Sequence, residues 1–290
     1  MKKNKNNLKE PFVRIVKRDN IKIQNIILIY SIAIVVGLLL SGFISMMFSD
    51  KNLVDFFKSL FTGAFGSERK LWLLLQDTAL LLGTSMALLP AFKMKFWNIG
   101  AEGQVLISGL ACVATMMFLG DTLPLGLLLV VMVVVSVLAG MIWALLPAIF
   151  KAYWNTNETL FTLMMNYVAT QLVAYYLKVF VKNGSGVLTP MPEFGLPVIG
   201  GQAYLLNVLI VVVLTVLVYI YLKFSKQGYE ITIVGESENT AKYIGINVKK
   251  VILRTMFLSG AVCGIAGLLL VSGTDHSIAK ETVDGRGFTA

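Results

Sequence analysis

Long apolar runs separated by short polar connections set the pattern of this chain. The first, Ile26 to Phe48, is longer than a signal-peptide core and no small-residue cleavage site follows it, so it is expected to span a membrane. Further runs fall at Leu71 to Phe92, about Ile99 to Leu119, Leu123 to Phe150, Leu160 to Val181, Leu205 to Leu222 and Val251 to Val271. At about 1.5 Å per residue, each can cross roughly 30 Å of hydrocarbon. The pattern predicts an all-α polytopic integral membrane protein with about seven spanning helices in this chain. A polar tail, 1–25, precedes a transmembrane domain, 26–290, which includes a polar connection at 223–250.

Charge gives that pattern an orientation. The tail carries Lys2, Lys3, Lys5, Lys9, Arg14, Lys17, Arg18 and Lys22 against Glu10 and Asp19. Alternation puts Lys93, Lys95, Lys151 and the 223–250 connection on the same side, which the positive-inside bias makes cytoplasmic. The loop Asn183 to Gln202 holds three prolines and reads as an external connection. The charged stretch Asp275 to Arg286 is expected outside too, unless it folds back into the protein.

Composition removes several function classes. With 57% hydrophobic and 14% charged residues and a mean hydropathy of +0.77, the chain is no ordinary soluble domain. Its net charge of +9 comes in short clusters between apolar runs, which argues for membrane orientation and against nucleic acid. Cys112 and Cys263 lie in apolar runs and His276 is the single histidine, so no disulfide framework and no Cys/His metal cluster is expected. No G-x-x-x-x-G-K-[ST] motif occurs, so the chain holds no ATP in a phosphate loop of its own. With no Ser/His/Asp or Cys/His set at membrane depth, catalysis is not expected.

Polar residues inside the apolar runs are the candidate chemistry. Phe96-Trp97-Asn98-Ile99-Gly100-Ala101-Glu102-Gly103-Gln104 puts two amides and a carboxyl group between apolar segments. Asn98 can cap a helix whose positive end favours Glu102, or the stretch can be a broken segment lining a cavity. Asp77 and Thr84, two helical turns apart with Gln76 beside them, can face one interior. Thr159, Thr162, Asn166 and Thr170 draw one polar stripe, flanked by Tyr167 and Gln171. Such groups also serve as interhelical glue worth about 1 kcal/mol each. Asn155 and Glu158 fit a cap for the fifth span, and Gly260 with Gly264 forms a close-packing pair. In the connection, Ser237 can cap a short helix from Glu238 to Ile244 that Gly245 ends. Such a punctuated helix suits docking on a partner better than a plain connector.

Three motifs in order carry a family resemblance: Trp97 to Gln104, Asn157 to Tyr167, and Val234 to Val248. Through them the chain resembles permease subunits of bacterial ABC importers of the branched-chain amino acid and simple sugar permease superfamily, nucleoside and simple-sugar branch. The resemblance implies a heteromeric importer of the cytoplasmic membrane, with a second permease subunit, an ATP-binding subunit that holds ATP and Mg, and an extracellular substrate-binding lipoprotein. It implies no cofactor in this chain. It also implies that Gly235, Glu236, Asn239, Ala241, Tyr243 and Gly245 insert into the ATPase. Trp97, Asn98, Glu102, Gln104, Asn166 and Tyr167 are the candidates for the substrate path, where amides can bond hydroxyls or base edges and the aromatic rings can stack. Relatives continue past the pair matching Gly287-Phe288, so the chain is expected to be truncated at its C-terminus relative to the family. Two other readings stay open: an ion- or proton-coupled secondary transporter in which Asp77 and Glu102 titrate, and a membrane scaffold.

Overall fold

The computed structural model describes residues 22–49, 52–181 and 187–290. Most of the expected basic tail, through residue 21, lies outside the described residues, as do residues 50, 51 and 182–186. Among the described residues the structure is helical: α1 Ile23–Phe48, α2 Leu53–Phe65, α3 Glu68–Lys93, α4 Ala101–Leu119, α5 Leu125–Trp154, α6 Glu158–Phe180, α7 Leu205–Phe224, α8 Lys226–Glu236, α9 Glu238–Tyr243, α10 Val248–Leu270 and α11 Arg286–Thr289. Six of these, α1, α3, α4, α5, α7 and α10, are long and apolar enough to cross a membrane. At 23 residues α6 has the length of a span, and its polar stripe makes it less apolar.

Two compact units divide the chain at Ser67 and Glu68. In the first, α1 is apolar all round and buries only Gly42, which lies against Leu53 and Phe56 of α2. Periodicity did not single out α2, a 13-residue helix started by a reciprocal cap between Asn52 and Asp55.

The second unit is built around α10, whose buried face runs from Val248 to Leu270. The pair Gly260 and Gly264 does what its spacing predicts: Gly260 sits against Gly140 of α5, and a Cβ at either would strike the other helix's backbone. Buried Ser108, Ser136 and Ser259 line the same crossings, where small side chains bring backbones together.

Two local expectations need correcting. Asn157, not Asn155, caps α6, its side chain accepting from the Leu160 N–H at 3.1 Å, while Asn155 ends α5 in the left-handed region at φ 52°. Glu158 instead pairs with Lys151 at 2.9 Å. Asp77 and Thr84 do share a face of α3, but packing along it is uneven. Thr84 is buried and bonds the Leu80 carbonyl, whereas Asp77 is exposed and Gln76 takes the interior position.

Candidate functional site

The chain breaks between α3 and α4, as the polar stretch at 96–104 suggests. Lys95, at φ 59°, turns the backbone after α3, and α4 begins at Ala101 without a side-chain cap on Gly100. Asn98 sits before that start: its Oδ1 accepts from the Gly100 N–H at 3.0 Å and from Gln104 Nε2 at 3.3 Å. The opening N–H groups of α4 have no intrahelical acceptor, and in an apolar interior they need another.

The polar stripe of α6 supplies it. Asn166 Oδ1 accepts from the Gly103 N–H at 2.8 Å and its Nδ2 donates to the Ile99 carbonyl at 2.9 Å. Thr162 Oγ1 accepts from the Ile99 N–H at 3.2 Å. A Cβ at Gly103 would meet Asn166 Oδ1 at 2.9 Å, so the absence of a side chain there allows the approach. Asn98, Gln104 and Asn166 are therefore brought together, at 0%, 1% and 4% exposure, and hold a helix start in place. Tyr167 is not with them. One residue on, it turns outward among exposed Leu160, Met164 and Val168. Trp97 is exposed as well, with its ring edge-on to Phe92 at 5.7 Å.

Glu102 points the other way, toward the end of the chain. After α10 a wide π turn, Val271–Asp275, and His276 at φ 51° redirect the backbone. The proline-rich loop between α6 and α7 backs the stretch that follows: Leu196 N–H donates to the Ser272 carbonyl, Met191 N–H to His276, and Leu188 N–H to Ile278. Asp284 and Gly285, at φ 52° and 70°, then turn the chain into α11. The Glu102 carboxylate accepts from the Gly285 N–H at 3.0 Å and the Gly287 N–H at 2.8 Å. A carboxylate in the first turn of one helix thus caps the start of another. Arg286 reaches across to Asp77 at 3.0 Å, and Gln76 Nε2 donates to Thr274 Oγ1. The charged stretch 275–286 folds back onto the protein, the exception allowed for it from the sequence.

Nothing in the sequence tied Glu102 to Gly285 and Gly287, 183 and 185 residues away. The signal available was the glycine pair around Arg286, which lacks any strand to make it a nucleotide motif.

At the end of the bundle where α3 finishes and α10 starts, α8 joins these two helices. Buried Gly235 packs against the Lys93 carbonyl at the end of α3, and Glu230 pairs with Arg254 of α10 at 2.8 Å. Ser237 caps α9 as expected, accepting from the Thr240 N–H at 3.3 Å, and Gly245 at φ 83° closes the turn. Ala241 anchors α9 inward, while Glu236, Asn239 and Tyr243 are exposed, Tyr243 at 94%. Beside them lies a polar cleft of about 180 Å³ lined by Lys95, Lys151, Glu158, Glu236 and Glu238.

Comparison with known proteins follows these elements. The family model for the branched-chain amino acid transport system / permease component matches residues 71–290. A glucose ABC transporter permease, TsgB13 of Haloferax volcanii, is 28% identical over 88% of this chain and 71% of its own length. The guanosine ABC transporter permease NupP of Bacillus subtilis is 26% identical over 90% and 77%, and the nucleoside ABC transporter permease NupB of Lactococcus lactis 27% over 88% and 73%. No solved structure matches. The match covers everything from the first turn of α3 through α11, and this chain belongs to the branched-chain amino acid transport permease family, as a multi-pass permease subunit of the cytoplasmic membrane.

Proposed function

We propose that this subunit forms part of the path by which an ABC importer carries a nucleoside or simple sugar into the cell, with a separate ATP-binding subunit supplying the energy. A second permease subunit and an extracellular binding lipoprotein complete the complex. The chain makes and breaks no covalent bond, and ATP with its Mg belongs to the partner. The names of three relatives support the solute class.

One observation carries the coupling half of this reading: an exposed, capped α9 is tied through α8 to the inner ends of both α3 and α10. Helix α3 also holds the segment that follows α10, through Asp77 to Arg286 and Gln76 to Thr274. A push on Glu236, Asn239, Tyr243 and Gly245 would pass through Gly235 and Ala241 to α3 and α10. Rigid elements of that kind carry motion between distant sites. In this scheme Asn98, Gln104 and Asn166 brace the broken helix beside the path, Glu102 fixes the segment that returns to it, and Trp97 and Tyr167 meet lipid or the second permease.

The test is a panel of nucleosides, pentoses and hexoses offered to the reconstituted complex with its binding lipoprotein. Stimulated ATP hydrolysis by one solute class is expected. A complex whose hydrolysis responds to none of them, or that assembles equally well with 235–245 scrambled, overturns the proposal.

A further inference from the structure

We infer that the Asp77–Arg286 pair forms a water-facing, solute-contacting wall of the translocation path and sets affinity for hydroxylated solutes. The inference rests on the importer reading above and assigns residues to it that the sequence motifs did not.

Depth is the first reason. Helix α3 runs from Glu68 to Lys93, so Asp77 lies about 14 Å along an axis of about 39 Å, roughly 6 Å from its middle. That is well inside a hydrocarbon layer of about 30 Å. Exposure is the second reason. The Asp77 side chain is 61% exposed and that of Arg286 23%, with the two bonded at 3.0 Å. A half-open ion pair at that depth is costly against lipid tails, and such groups face a protein interior or a watered path.

The third reason is how the pair is built. Arg286 Nη1 donates to the Thr282 and Val283 carbonyls of its own turn, which fixes the guanidinium and presents Nη2 to Asp77. Asp275 lies within electrostatic reach of both. Asp77 meets the guanidinium through Oδ1, which leaves Oδ2 as an acceptor for solute hydroxyls beside a fixed positive charge. Glu102 belongs to the support behind this wall, because both its oxygens are taken by backbone N–H groups. The apolar outer face of α7, with Val212, Val213 and Val216 exposed, offers no comparable chemistry.

The test uses the assembled importer in proteoliposomes. Cys112 and Cys263 are fully buried, so a membrane-impermeant thiol reagent reads an introduced cysteine over a low background. Thr289→Cys, exposed on α11 beside the pair, should react at least about tenfold faster than Val213→Cys, and a saturating transported solute should slow it several-fold. Asp77→Asn and Arg286→Gln should each raise the KM for uptake about tenfold with maximal rate within about twofold, the pattern of lost binding. The double exchange Asp77→Arg with Arg286→Asp keeps the ion pair and should keep the KM defect. Full recovery of KM in the exchange overturns the inference, as does a Thr289→Cys that stays as inert as Val213→Cys or reacts regardless of a solute that the importer carries. The labelling arm reads water access even if no solute of the panel is carried, which separates failure here from failure of the importer reading.

Discussion

Glu102 and Gly287 lie 185 residues apart in sequence, and the carboxylate of the one accepts the backbone N–H of the other at 2.8 Å, where α4 meets α11. The contact joins two helix starts, each with N–H groups that no intrahelical carbonyl satisfies. It explains why a carboxylate follows Gly100 and Ala101 in an apolar chain. It also explains why glycine stands at 287, where a Cβ would strike the backbone of Glu102.

Replacing Glu102 with Gln should weaken this junction without removing it. The amide oxygen still accepts one N–H, while its NH2 group meets a second donor instead of an acceptor. The loss should be about 1.5–3 kcal/mol, the scale of a charge-assisted bond. Solute uptake should fall several-fold and the unfolding midpoint of the detergent-solubilised complex should drop. Gly287→Ala should do more damage, since the clash is with backbone. Unchanged uptake and melting for both variants would remove the junction from the working structure.

Adjacent residues of α6 should respond to very different extents. Asn166→Ala takes the acceptor from the Gly103 N–H and the donor from the Ile99 carbonyl, leaving two buried groups unpaired at about 1–3 kcal/mol each. Tyr167→Ala, on the exposed face, should change stability by less than about 1 kcal/mol. Thermal unfolding monitored by tryptophan fluorescence compares them directly, and equal effects would contradict the placement of these two side chains.

Around α8 and α9, assembly and coupling should separate. Tyr243→Ala alters an almost fully exposed ring, so the permease should fold normally while less ATP-binding subunit co-purifies. Gly235→Val puts side-chain atoms against the Lys93 carbonyl. It should leave co-purification largely intact and reduce solute-stimulated ATP hydrolysis several-fold. Co-purification measured beside ATPase rate distinguishes the two.

The α5–α10 crossing should tolerate no bulk. Gly260→Leu drives a side chain into the Gly140 backbone, an overpacking that costs on the order of 3 kcal/mol at a contact with no flexible neighbour to yield. Expression of folded protein, read by size-exclusion profile, should collapse. Leu217→Ala on the exposed face of α7 should leave it unchanged.

Much of the architecture was legible along the chain because hydrocarbon imposes a length and a composition on anything that crosses it. The runs fixed the spans to within a few residues, as with α10, read as Val251 to Val271 and observed at Val248–Leu270. The spacing of Thr162 and Asn166 revealed a buried stripe, and Ser237 with Gly245 marked the bounds of α9. Local chemistry reads locally: a cap, a turn glycine and a polar stripe are set by neighbours three or four residues away.

The broken start of α4 shows where that reading ends. Sequence alone determined that Asn98, Glu102 and Gln104 were polar groups in an apolar setting and so needed partners. Only the tertiary structure decided which partners: Asn166 from α6 for the backbone at Ile99 and Gly103, and Gly285 with Gly287 from the returning segment for Glu102. The physical reason is that a backbone N–H carries no residue-type signature. Its demand for an acceptor is the same at every position, and where that acceptor comes from depends on how helices far apart in the chain pack.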